Sequence, residues 1–265
     1  MTIIVGGCSF THADNSWARW IPSVRNLGVG GVGNSYITSQ LLRNLSSGDI
    51  CIVQYSSFWR KELMIPENHR FRSVVDNSLP SWDAGEELWG LSSQKIRILR
   101  TTDPEAEWWR STPLHKFMNT WETWYSSEQR IIESLESICK LQWYCKLNDI
   151  QLFQFFGWEE CIFHSDYVEL IKPTWDLIDW DSIWFWDGWG GMAEWCVDHG
   201  YTGDLSEDCI NTPPQGVHRV SGRLRMIGHP SSESHYQFCS SVILPWLNSV
   251  CNEDIRLSND HVVDR

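Results

Sequence analysis

Four short runs dominated by apolar residues, Thr2–Val5, Asp49–Tyr55, Ile150–Phe156 and Ile183–Trp186, alternate with stretches of helical period. This alternation restricts the folds open to the chain more than any other feature. Runs that are apolar at nearly every position suit strands covered on both faces, and strands that alternate with helices form parallel sheets with helices packed on each side. Ser23–Leu27 is a weaker strand candidate that leads into the glycine-rich Gly28–Gly33. A helix is predicted to start at Asn34 as N-cap, with Ile37, Leu41 and Leu45 four apart. Ser126 and Gln129 have capping-box spacing ahead of a second helix that runs to about Leu147. His235, Phe238, Cys239, Val242, Ile243 and Trp246 predict an amphipathic helix that closes the chain.

The 265 residues fit a single α/β domain, 1–265, in which residues 57–127 form an insertion or cap folded over the C-terminal edge of the sheet. A formal net charge of −13 with no basic run argues against nucleic acid and anionic membrane surfaces as partners. No apolar stretch approaches the roughly 18 residues that span a bilayer. The N-terminus carries no cationic leader, so the expectation is a chain not secreted by a signal peptide, in the cytoplasm or another reducing compartment. Nine cysteines, an odd number without any C-x-x-C pair, suit reduced core thiols better than disulfides or a zinc site. Of the 18 tryptophans, 14 fall within 57–127 and 158–199, which singles out those segments.

The chemistry-bearing residues begin where the first strand ends. In Gly7-Cys8-Ser9-Phe10-Thr11 a serine at a sharp strand exit presents its hydroxyl above the sheet edge, among backbone N–H groups, as acyl transfer requires. Asn26-Leu27-Gly28-Val29-Gly30-Gly31 follows, and near the C-terminus His229-Pro230 precedes the closing helix. In this order the blocks resemble those of the SGNH, or GDSL-type, hydrolase superfamily, with Cys8 in place of the family's usual Asp. The resemblance implies a three-layer α/β/α sandwich with a mainly parallel, flavodoxin-like sheet. It implies Ser9 as nucleophile, His229 as general base, and Gly31 as a backbone donor to the oxyanion. No cofactor and no metal are implied.

Two positions depart from the family pattern. Gln54-Tyr55-Ser56 stands where the third block places Asn, so Ser56 or Asn34 would have to supply the side-chain oxyanion donor. Met226 occupies the offset of the Asp that orients the histidine, and no carboxylate lies between Asp208 and Glu233, so a Ser–His dyad is expected. Gly28, Gly30 and Gly33 also satisfy G-x-G-x-x-G, but the acid that a dinucleotide site needs after the next strand is missing. His235, on the apolar stripe of the closing helix, reads as a core residue or a partner of the catalytic histidine. Arg60 could hold an anionic or sugar substrate. Trp108, Trp109, Trp121, Trp124, Trp184, Trp186, Trp189 and Trp195 either stack on sugars or cement the insertion. The expected function is hydrolysis of an O-acyl group, most naturally acetyl on a carbohydrate or another acylated small molecule. The competing expectation is a binding module that keeps the fold without turnover. Oligomeric state is not legible.

Overall fold

The computed structural model describes residues 1–12, 14–58, 60, 62–66, 96–100, 127–158, 168–201, 217–220, 223–226, 229–251 and 255–257. Its centre is a five-stranded, all-parallel sheet of β1 (Ile3–Gly6), β2 (Val24–Asn26), β3 (Ile50–Tyr55), β6 (Gln151–Phe156) and β7 (Ile183–Trp184), in the order β2-β1-β3-β6-β7. Two antiparallel pairs stand apart from it: β4 (Glu62–Pro66) with β5 (Ile96–Arg100), and β8 (Val217–Val220) with β9 (Arg223–Met226). Apart from β4 and β5, the 57–127 insertion lies almost wholly outside the described residues, and Trp108, Trp109, Trp121 and Trp124 fall there.

The helices are α1 (Ser9–His12), α2 (Asn34–Asn44), α3 (Ser127–Leu147), α4 (Val168–Trp175), α5 (Met192–Asp198) and a closing helix whose parts are α6 (Ser232–Phe238), a π segment (Cys239–Ile243) and α7 (Leu244–Cys251). A strand turns alternate side chains to opposite faces, and the two cores divide accordingly. Ile4, Cys51, Val53, Tyr55 and Phe156 pack with Ile37, Leu41, Leu135, Ile138 and Ile171 of α2, α3 and α4. Val5, Ile50, Ile52, Phe153 and Phe155 pack with Trp17, Met192, Trp195, Phe238 and Ile243 on the other face. Each such side chain contributes about 1.5–3 kcal/mol on burial. Among the described residues no helix is long and apolar enough to cross a membrane, and all seven cysteines found there are free thiols.

The closing helix departs from the predicted pattern. Val242 and Trp246 are only half-buried, while His235, Cys239, Ile243 and Leu247, spaced strictly by four, reach the core. In a regular α-helix each step of four overshoots a full turn by about 40°, so such a row would drift off the sheet. The wider π turn takes up the excess, with the Leu244 N–H reaching back to the Cys239 carbonyl. Pro245, which has no N–H to donate, follows at once.

Candidate active site

β1 lies between β2 and β3, so the chain leaves it first to one side and then returns to the other. Open α/β sheets bind ligands in the crevice that such a reversal creates beyond the strand C-termini. Ser9 follows β1 there, and Gln54 and Tyr55 end β3 with Ser56 after them, in a register that sets Gly6 opposite Val53.

The side chain that shapes this crevice is Gln54, fully buried at the end of β3. Its Oε1 accepts from the Cys8 N–H at 3.2 Å, from the Cys8 thiol at 3.2 Å and from the Thr11 hydroxyl at 3.3 Å. Its Nε2 donates to the Tyr55 carbonyl. The residues on both sides of Ser9 are thereby tied to the neighbouring strand. Gly7 makes the fit possible, because a Cβ there would stand 2.1 Å from Thr11 Oγ1 and 2.9 Å from Gln54 Oε1.

The glycine-rich segment is fastened to the same turn. Asn26 Nδ2 donates to the Thr11 carbonyl at 2.7 Å, and Asn26 Oδ1 accepts from the Gly28 N–H at 2.8 Å. His12 Nδ1 meets the Gly28 carbonyl at 2.8 Å, and Val29 N–H donates to the Gly7 carbonyl at 3.0 Å. Gly31 adopts a φ of 75°, a conformation that favours glycine. The segment lies against the serine: a Cβ built on Gly30 would be 3.8 Å from Ser9 Cβ and 3.9 Å from His12 Cδ2. Ser9 itself is half-buried, and its hydroxyl makes a long contact of 3.9 Å to Cys8 Sγ.

Phe10 links this turn to the closing segment. Its ring centroid is 5.3 Å from that of His229, 6.1 Å from His235 and 5.3 Å from Trp158. His229 is exposed in the turn before α6, where Ser231 Oγ caps the helix by accepting from the Ser234 N–H at 3.1 Å. His235 is buried, and its Nδ1 has no partner among the described residues. Burial, and secondarily the charge that His229 can carry, lower its pKa to about 3. Met226 is the last residue of β9.

Arg60 and Trp158 extend the group. The guanidinium lies 4.9 Å from the centroid of the Trp158 ring, and Arg60 Nη1 donates to Ser56 Oγ at 3.1 Å. Asn34 has a different task from the predicted cap. Gly33 is the N-cap of α2, and Asn34 is its first residue. Its amide pairs with one backbone position, Oδ1 accepting from the Ser56 N–H at 2.7 Å and Nδ2 donating to the Ser56 carbonyl at 3.0 Å. A planar side-chain amide can match a residue's donor and acceptor together, which a cap bond cannot do. Asn34 thus holds Ser56 in place below the crevice.

The tryptophans of the second cluster divide. Trp195 packs in the core against Phe238 at 5.4 Å, Trp184 also contacts Phe238 at 5.3 Å, and Trp186 donates to Asp198 at 2.7 Å. Trp189 is exposed, next to Asp187 and Gly188 with φ of 44° and 94°, and stands 5.3 Å from Phe185. Most of this cluster therefore cements the structure. Among the described residues no group of three or more His, Cys, Asp or Glu could hold a metal ion.

The crevice thus gathers Ser9, the Gly28–Gly31 segment, Ser56 and Arg60, with His229 and His235 around Phe10. The sequence reading missed Gln54 and His12 as parts of it. His12 was detectable, since it lies three residues after Ser9 and shares its helical turn. No family model, no curated protein and no solved structure matches the chain.

Proposed function

We propose that this protein is a serine esterase of SGNH type, built on a three-layer sandwich whose strand order is that of the flavodoxin-like, doubly wound sheets. Ser9 Oγ attacks the acyl carbon while His229 takes its proton and then delivers it to the leaving alcohol. The N–H groups of Ser9 and Gly31 face the developing oxyanion, with Ser56 nearby, and Arg60 with Trp158 binds the remainder of the substrate. An O-acetylated carbohydrate fits the guanidinium stacked on an indole, a pairing suited to hydroxyl-bearing rings. The observation that carries this reading is the approach of Gly30 to Ser9 at the end of β1, with His229 on the ring of the next residue.

A second reading, a binding module without turnover, is favoured by one observation: among the described residues the contact of the Ser9 hydroxyl is to Cys8 Sγ at 3.9 Å and not to a histidine. A serine-directed phosphonate separates the two. The esterase is expected to form one covalent adduct on Ser9, visible by intact-mass analysis and lost in Ser9→Ala. Absence of that adduct in folded wild-type protein would refute the esterase.

A further inference from the structure

His12 is the histidine nearest to Ser9 in the sequence, and the role given to His229 leaves it without a task. Its ring is fixed by one bond, Nδ1 to the Gly28 carbonyl at 2.8 Å. A carbonyl oxygen only accepts, so in the neutral ring Nδ1 carries the hydrogen and Nε2 holds the lone pair. That is the tautomer a general base needs, held by a backbone carbonyl instead of a carboxylate.

The placement of the ring is equally specific. Cδ2, bonded to Nε2, and Ser9 Cβ lie 3.9 Å and 3.8 Å from the point above Gly30 where a Cβ would stand. Both are ordinary contact distances, so one small atom at that point would touch the serine and this edge of the imidazole at once. His12 is exposed whereas Ser9 is half-buried, so water reaches the gap from the side of the histidine. Asn26 ties the loop to the α1 backbone, donating to the Thr11 carbonyl at 2.7 Å and accepting from the Gly28 N–H at 2.8 Å, so the glycine loop is cross-linked to the turn that carries the serine and the ring.

We propose that His12 is a second base of the Ser9 site, the one that activates the water that hydrolyses the acyl-enzyme, while His229 serves acylation; this rests on the esterase reading. Nε2 takes a proton from water as the water oxygen bonds to the acyl carbon. The tetrahedral adduct collapses with cleavage of the bond between the acyl carbon and Ser9 Oγ. The imidazolium returns its proton to Oγ, and the free acid leaves.

The test is pre-steady-state hydrolysis of p-nitrophenyl acetate by wild type, His12→Asn and His12→Ala. Asparagine keeps an N–H near the position of Nδ1, and with it the bond to Gly28, but removes the base. Both variants are expected to release a burst of about one nitrophenolate per Ser9 and then turn over about 10²-fold or more slower than wild type. The acetyl group should persist on Ser9 by mass, and added imidazole should restore turnover in His12→Ala. Wild-type turnover in His12→Asn would overturn the proposal. So would loss of the burst in folded His12→Asn that still reacts with the phosphonate, because the defect would then lie in acylation. Failure of the wild type to react with the phosphonate would strike at the esterase itself, and this division of labour would fall with it.

Discussion

Replacing Gln54 by leucine removes the side chain that joins Cys8 and Thr11, on either side of Ser9, to β3. The Cys8 N–H and the Thr11 hydroxyl belong to fully buried residues, and each is left without its acceptor. An orphaned buried donor costs about 1–3 kcal/mol. The Tyr55 carbonyl is spared, because it still accepts from the Gly157 N–H at 3.0 Å. Leucine recovers part of the loss as apolar burial, about 1–2 kcal/mol. The expected net destabilisation is about 2–3 kcal/mol, which a domain of ordinary stability survives. Urea melts should therefore show an earlier midpoint with an unchanged slope. Turnover of a short ester should fall by about 10²-fold, since the turn that aims Ser9 loses its tether and misplaced reacting groups lose rate on this scale. Thr11→Val removes one of the three donors and should be non-additive with Gln54→Leu by about 1 kcal/mol in a double-mutant cycle. A Gln54→Leu protein with wild-type midpoint and wild-type turnover would refute the idea that this amide organises the crevice.

The buried imidazole sets an acid limit. His235 has a folded pKa of about 3 against an ordinary 6.5, so between these values the unfolded chain binds the extra proton and stability falls as pH drops from 6.5 toward 3. The full effect is about 4–5 kcal/mol and is absent above pH 6.5; His235→Phe should flatten the slope of urea midpoints between pH 7 and pH 4, and an unchanged slope would show that other groups set it. The two glycines beside α1 should respond differently to alanine. At Gly28 a Cβ would lie 2.9 Å from the backbone of Thr11 and His12, whereas at Gly30 it meets only ordinary contacts. Gly28→Ala should cost about 1–3 kcal/mol in a thermal melt, and Gly30→Ala almost nothing. Gly30→Val should fold and lower kcat by filling the gap beside Ser9 that the hydrolytic water needs; equal melting losses in the two alanine variants would contradict the geometry.

The sheet was legible because its signals are local. Runs such as Ile50–Tyr55, buried at every position, form a central strand wherever helices flank them. Ser9 and the Gly28–Gly31 segment were legible because a strand exit and a glycine run are both written in consecutive residues. Gln54 was not, because its importance comes from bonds to Cys8 and Thr11, 46 and 43 residues away. As a sequence letter it registered only as a missing Asn. Asn34 was misread for a related reason: an Asn before an apolar period is a good cap locally, and only the fold brings Ser56 to its amide, 22 residues on. β8 and β9 escaped notice because VHRV and RLRM carry charged or polar residues inside runs of four and show none of the continuous apolarity of the buried strands.

The π turn gives the closing helix one residue more than its length as a regular helix requires. Deleting a single residue from Cys239–Ile243, for example Ser241, would restore ordinary winding and leave everything beyond it facing the sheet as before. His235, on the near side, would keep its place beside Phe10, and Leu247, one position closer in sequence, would stay on the core stripe. The buried stripe is in this sense one stripe with a single residue let in at the turn. Sequence change in its second half can be absorbed at the turn without being passed on to the histidine at its start.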